Sequence, residues 1–307
     1  LLAIVIDIKS LLFVVVVAAT ASCSGTHHEP AELTPLMSAA SNGNAVRVRQ
    51  LIAAGANVNE PRGLRVVPGG RIEGDSAPQG ETALMFAVDA GDLDTIRVLL
   101  DAGARTDVRA NWGNNVWERL RRRLSAPNAV EILRLLLSRS PRIPPDLATA
   151  MLADAMSGAN EAVVSIVLDQ VEDPMAAYCF TAAPLDDAHF SSMMRLLEKR
   201  IGVPKGRALE CGVGVDTPLK LEYFLKHGAN PNQVYNSFRP LSSIAFDVSH
   251  GYGLTNDRRE MVKLLLRYGA NPALREDNTS RGSPIDMARS AGNTELLGLL
   301  TQGTARR

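Results

Sequence analysis

Aromatic side chains are scarce in these 307 residues, at 5% of the total, and only two are tryptophan. A chain so poor in large rings must fill its interior with Leu, Val and Ala, which suits helices packed at close range. Charge of one sign is also lacking. Lys and Arg number 33, as do Asp and Glu, so the formal charge is zero and there is no electrostatic footprint for DNA or RNA. No apolar run reaches the roughly 20 residues of a helical membrane span. The longest, Leu11 to Thr20, is separated by Asp7, Lys9 and Ser10 from the earlier run Leu1 to Ile6.

Catalytic and cofactor signatures are missing too. The polar, glycine-rich stretch Val248 to Asp257 carries His250 and Tyr252, yet it has no nucleophile set, paired carboxylates or metal spacing around it. Gly212 and Gly214 in CGVGVD have no strand before them and no helix after them in the pattern of a nucleotide fingerprint. His27 and His28 are adjacent, with no further ligand nearby, and read as solvated linker residues. The sequence therefore predicts no enzyme, no cofactor and no metal.

What the chain does have is a recurring unit. In Thr34 to Asn59, TPLMSAASNGNAVRVRQLIAAGANVN, Thr34 supplies a capping oxygen and Pro35 suits a first helical turn. Leu36, Ala39 and Ala40 then share one helical face. A second helix from about Val46 aligns Val48, Leu51 and Ile52, and Gly55 stands where a helix leaves through a left-handed residue. Neither helix can bury its stripe alone, so the pair requires similar neighbours.

Those neighbours are legible. The ending LIAAGANVN at 51–59 returns as LLDAGARTD at 99–107, FLKHGANPN at 224–232 and LLRYGANPA at 265–273. The opening returns at Thr82-Ala83-Leu84-Met85, Arg239-Pro240-Leu241 and Ser283-Pro284-Ile285. The unit resembles the ankyrin repeat, with its period of about 33 residues, although Met37 and Met85 stand where that family usually has His. The resemblance implies an all-α helical repeat solenoid with short hairpin fingers. About eight repeats span residues 32–303, followed by a tail at 304–307. It implies binding of another protein, and no catalysis.

Openings 48 residues apart at Thr34 and Thr82 place an insertion of about 15 residues in Glu60 to Gln79, at a finger, with Arg62, Arg65 and Arg71 as possible contacts. A functionless disordered expansion is the alternative. In the middle, Leu136-Leu137, Ile166-Val167, Leu196-Leu197 and Phe224-Leu225 are read as equivalent second-helix pairs, spaced by 30, 30 and 28 residues. Helix pairs are thus expected to continue there with fingers shortened or lost. Arg239 to Gly269 spans 30 residues against 21 from Thr34 to Gly55, which predicts nine extra residues in a loop near Val248 to Asp257.

Trp117 takes the place of an opening-motif Leu and is expected in the core. Arg119, Arg121, Arg122 and Arg123 are expected on a solvated helix face. Cys179 and Cys211 are expected as two buried free thiols, with a disulfide as the alternative.

The N-terminal stretch resembles a bacterial lipoprotein signal. The apolar run is followed by Ala21 and Ser22 and then by Cys23, the residue that such proteins lipidate. Residues 1–22 would be the signal and 23–31 a short linker. Thr20 replaces a favoured Leu, and a signal cleaved after Ala19-Thr20-Ala21 or an uncleaved anchor is the alternative. Ser24 after the cysteine resembles sorting to an outer membrane, so the expected location is periplasmic and membrane-anchored, with a soluble periplasmic or secreted form as the alternative. By the family's geometry, Ser41, Asn42, Asp89, Asn111, Trp112 and Asn114 would face a protein partner, and the chain is expected to be a monomer. Two roles share that surface: a scaffold or stabiliser of envelope proteins, and an inhibitor or immunity-type factor that blocks a toxic enzyme.

Overall fold

The computed structural model describes residues 33–63, 65–66, 72–73, 80–110, 114–140, 142–182, 185–275 and 282–304. Local chemistry sets where the helices begin. The Thr34 hydroxyl accepts the Met37 N–H at 3.2 Å and Pro35 opens the helix Pro35–Ser41. Asn44 accepts the Arg47 N–H at 2.9 Å and starts Ala45–Ala53. Asp92, Asn115, Asn160, Asp186, Thr217, Thr255 and Ser283 cap later helices in the same way, each satisfying an N–H that has no partner within its helix.

Paired helices recur eight times among the described residues. Repeat 1 is Pro35–Ser41 with Ala45–Ala53, and repeat 2 is Ala83–Ala90 with Leu93–Asp101. Repeat 3 is Val116–Arg121 with Ala129–Arg139, and repeat 4 is Pro145–Ser157 with Glu161–Val167. In repeat 5 a 3-10 helix, Pro174–Ala182, precedes Asp187–Ile201. Repeat 6 is Arg207–Cys211, prolonged by a 3-10 turn Gly212–Gly214, with Pro218–Lys226. Repeat 7 is Pro240–Ser249 with Asn256–Arg267, and repeat 8 is Pro284–Ser290 with Thr294–Thr304.

These pairs build two layers. First helices pack on the first helices of adjacent repeats, with only sparse contact between those of repeats 6 and 7, and second helices on second helices, so that neighbouring repeats cover each other's apolar stripes. One continuous core results, running from Leu36 and Val48 through Leu99, Leu133, Val163 and Phe224 to Leu265 and Leu300. Trp117 belongs to it at 2% exposure, as expected of an opening-motif residue. The proposed second-helix pairs of the middle all fall on second helices, and the connections there shrink to 171–173 and 202–206.

The exits carry a shared constraint. Gly103 leaves its helix at φ 88°, in the left-handed region that disfavours a Cβ. In repeat 4 the turn between the two helices, where repeat 1 has Gly43, places Ala159 at φ 52°. Asparagines then tie the exits together: Asn59 Nδ2 donates to the Gly103 carbonyl at 3.0 Å while its Oδ1 accepts the Arg105 N–H at 2.8 Å. Asn232 repeats the pattern with Gly269 and Asn271.

Three expectations need correction. Cys179 and Cys211 are bridged, with Cα atoms 5.1 Å apart. The two cysteines meet because the 3-10 helix Pro174–Ala182 serves as the first helix of repeat 5 and packs on Arg207–Cys211, the first helix of repeat 6. The arginines 119 to 123 are not a solvated face, since carboxylates and carbonyls of repeats 2 and 4 engage three of the four. Val248 to Asp257 is only partly loop: Val248 and Ser249 end one helix, Asn256 begins the next, and both helices of repeat 7 are long, at 10 and 12 residues. The insertion does form a hairpin at the expected finger, an antiparallel pair of Arg65–Val66 with Ile72–Glu73, in register Arg65 with Glu73 and Val66 with Ile72. Its base is closed by backbone bonds from Arg62 N–H to Glu81 O at 2.7 Å and from Gly80 N–H to Arg62 O at 3.1 Å.

Candidate functional site

Ser41 and Asn42 end the first helix of repeat 1 and are exposed. Both turn back onto it: Ser41 Oγ donates to the Ser38 carbonyl at 3.0 Å and Asn42 Nδ2 to the same oxygen at 2.8 Å. Asp89, one repeat on, is half-buried and held by Arg119 Nη1 at 2.6 Å. Burial raises the Asp89 carboxyl above its ordinary range, Arg119 opposes that rise, and the charge of Glu81 adds to it. Asn114 accepts from Arg122 Nη2 at 3.1 Å, and its carbonyl accepts the Ala110 N–H at 2.7 Å. Asn111, Trp112 and Cys23 lie outside the described residues.

The first helix of repeat 3 thus gathers two of the candidates. Arg119 holds Asp89 and Arg122 holds Asn114, whereas Ser41 and Asn42 bond back to Ser38 within repeat 1. Behind them is an ionic core that sequence reasoning missed. Glu81, at 3% exposure, accepts from Arg62 Nη1 at 3.1 Å and from Arg119 Nη2. Its partners lie 19 and 38 residues away, so no local pattern announces them. This network joins the base of the inserted finger to repeats 2 and 3. A buried carboxylate flanked by two guanidiniums fixes geometry more than it adds stability.

A second group missed in the sequence sits on repeat 7. Phe238 and Phe246 lie 5.4 Å apart between ring centroids, and Phe246 and His250 3.9 Å. His250 Nδ1 is 2.8 Å from the Phe246 carbonyl, and Arg258 braces the loop by donating to Tyr252 O and Gly253 O and pairing with Asp247 at 3.0 Å. These bonds engage His250 and Asp247 in holding the loop. Spacing does hint at this stack, since Phe246 and His250 are four residues apart on a helix. The glycines of CGVGVD are explained by packing: a Cβ on Gly212 would meet the Phe224 ring at 2.1 Å, and one on Gly214 the Tyr235 ring at 2.2 Å.

Among the described residues, no group of three or more His, Cys, Asp or Glu is placed to hold a metal ion. No helix among them is long and apolar enough to cross a membrane.

The family model for ankyrin repeats (3 copies) matches residues 9–110. The chain carries ankyrin repeats. Human ankyrin repeat and KH domain-containing protein 1 is 40% identical over 88 residues, which is 29% of this chain and 3% of that protein. An ankyrin repeat protein of Fowlpox virus is 31% identical over 125 residues, 37% of this chain and 34% of that protein. The chain therefore corresponds to a small part of the human relative and about a third of the viral one. Among solved structures, the human ASB11 ankyrin repeat domain covers 88% of this chain and 98% of its own length at 19% identity, with a TM-score of 0.38. The Bcl-3 ankyrin repeat domain covers 89% and 100% at 17% identity, with a TM-score of 0.38. Ankyrin repeats are protein-interaction modules and are generally non-enzymatic.

Proposed function

We propose that this ankyrin protein is exported and binds another protein in a bacterial cell envelope, as a scaffold or stabiliser, held to the membrane by a lipid on Cys23. The partner would meet the finger before repeat 3, with Trp112 as the anchor and Ser41, Asn42, Asp89, Asn111 and Asn114 around it. Supporting the compartment is the bridge between Cys179 and Cys211, because thiols in most cytosols are kept reduced. The pattern Leu11 to Ser22 before Cys23 agrees with it. Asp89 and Asn114 are positioned by arginines of one helix, which supports a preformed polar surface for a partner.

Two measurements test the reading. Mass spectrometry of the protein from its native membrane should show a mature N-terminus at Cys23 carrying acyl chains, lost in Cys23→Ala; an unmodified Cys23 within an intact leader rejects the anchor. Cross-linking in the envelope should capture a partner that Trp112→Ala releases, and unchanged capture rejects the surface. A resident envelope protein in that cross-link fits the scaffold, and a secreted toxin fits an inhibitor.

A further inference from the structure

The connections that follow repeats 1 and 2 are bound to each other at their bases, on both limbs. On the outgoing limb Asn59, after repeat 1, reaches Gly103 and Arg105, after repeat 2, a tie that Asn232 repeats later in the chain. On the returning limb the backbones themselves touch. Gly80, at φ 77°, runs so close to the second connection that an added Cβ would stand 3.3 Å from Ala110 Cα and 3.7 Å from the Arg109 carbonyl oxygen. Ala110 in turn closes the next finger, because its N–H donates to the Asn114 carbonyl at 2.7 Å.

Glu81 sits at this junction. It follows Gly80 directly, is buried, and bonds in two directions. Toward the insertion, its carbonyl accepts the Arg62 N–H at 2.7 Å and its Oε2 accepts from Arg62 Nη1 at 3.1 Å. Toward repeat 3, its Oε1 accepts from Arg119 Nη2, on a helix whose arginine also holds Asp89 Oδ2 at 2.6 Å. Both guanidiniums are largely buried. One carboxylate thus pins the foot of the inserted finger, the base of the following finger and Asp89 to a common frame. Such a tie is rigid, because removing one partner of a buried pair leaves a charge uncompensated away from water.

We propose that the insertion after repeat 1 is a brace: with Glu81 as the positioning residue it locks onto the next finger, so that both fingers meet a partner as one preset edge. For the partner this rests on the protein-binding reading above; the coupling of the fingers stands on the contacts alone. The residues added at 60–79 thereby gain a role that a functionless expansion would lack. A preset edge binds more tightly than a loose one, because its ordering cost is met before the partner arrives.

The test is amide hydrogen exchange, resolved residue by residue, on the full chain. The Ala110 N–H reports the junction, and the Ala104 N–H, bonded to the Leu99 carbonyl at 2.9 Å, reports repeat 2 itself. Glu81→Gln keeps the shape but withdraws the negative charge from both guanidiniums, and Arg62→Met removes the insertion's share while leaving Glu81 with Arg119. Both should speed exchange at Ala110 about tenfold or more and leave Ala104 unchanged. If Glu81→Gln loses helical circular dichroism, Arg62→Met alone decides. Equal acceleration at both amides would make Glu81 a stability residue of repeat 2 and overturn the proposal, as would no acceleration at either. A response to Glu81→Gln without one to Arg62→Met would take the insertion out of the lock and overturn it too. In the envelope, cross-linking should capture about tenfold less partner with Glu81→Gln. Capture lost with Trp112→Ala yet unchanged with Glu81→Gln overturns the positioning role. Capture indifferent to Trp112→Ala defeats the surface reading instead, and the exchange result then judges the brace.

Discussion

Removing the Cys179–Cys211 bridge by the double change to Ala should loosen the middle of the array more than either end. The bridge closes a loop with a sequence separation of 32. For such a loop, chain-entropy arguments give about 3.7 kcal/mol at 25 °C, a model-dependent figure that native strain and residual unfolded structure usually reduce. Part of the loss is local. The 3-10 helix Pro174–Ala182 stands in for an α-helix, and its backbone bonds are poorer, so the covalent link holds it against Arg207–Cys211. Urea unfolding followed by circular dichroism should show a loss of 2–4 kcal/mol, or a split into two transitions as repeats 1–4 and 7–8 uncouple. Hydrogen exchange should place the new openings at residues 174–182 and 207–214. A loss below about 1 kcal/mol with unchanged protection there would refute the view that the bridge replaces missing helix packing.

Three further outcomes follow from individual positions. Gly103→Ala should cost about 1 kcal/mol although the added Cβ meets no atom within 4 Å, and Ala159→Gly, in the turn between the helices of repeat 4, should recover a similar amount, because both effects are backbone strain at positive φ; thermal melts showing no change in either contradict the left-handed backbone at these two positions. Lys220 is fully buried and its Nζ donates to Asp216 Oδ1 at 2.6 Å, so Asp216→Ala should destabilise by about 1–3 kcal/mol, whereas Lys220→Met should be close to neutral; the reverse order in chemical denaturation would mean that the lysine has other anchors. Burial raises the Tyr178 hydroxyl to about 12, and burial with the neighbouring Glu198 raises Tyr223, so the stability that both contribute is full below the ordinary tyrosine value of about 10 and is lost as pH climbs through their folded values. Absorbance at 295 nm should therefore show two tyrosines ionising only with loss of helix, and full ionisation near pH 10 in an intact fold would contradict their burial.

Repeats 1, 2, 7 and 8 were legible because each keeps part of the unit's punctuation: a capping Thr or Ser, a proline in the first turn or a Gly-Ala ending, all local signals set by local sterics. The second helices of the middle were legible through their apolar pairs alone, since Leu136, Val167, Leu197 and Phe224 must all point into the same core. The first helices of repeats 5 and 6 were not. A 3-10 segment such as Pro174–Ala182 has no 3.6-residue stripe to read, and without it the two cysteines cannot be placed side by side. The charged contacts were hidden for a related reason. Arg119 reads as one of a surface run, and only stacking across repeats brings Glu81 and Asp89 to it. Of the surface residues expected to meet a partner, Asp89 and Asn114 are positioned by those same arginines.

What holds every helix in place is the helix pair on either side of it, and Trp117→Ala tests this most directly. The side chain lies in the first helix of repeat 3, almost wholly buried, and its removal should cost about 3–5 kcal/mol. Hydrogen exchange followed repeat by repeat should lose protection most in repeat 3, less in repeats 2 and 4, and very little in repeats 7 and 8. Equal loss across all eight repeats would contradict a stack stabilised by neighbours.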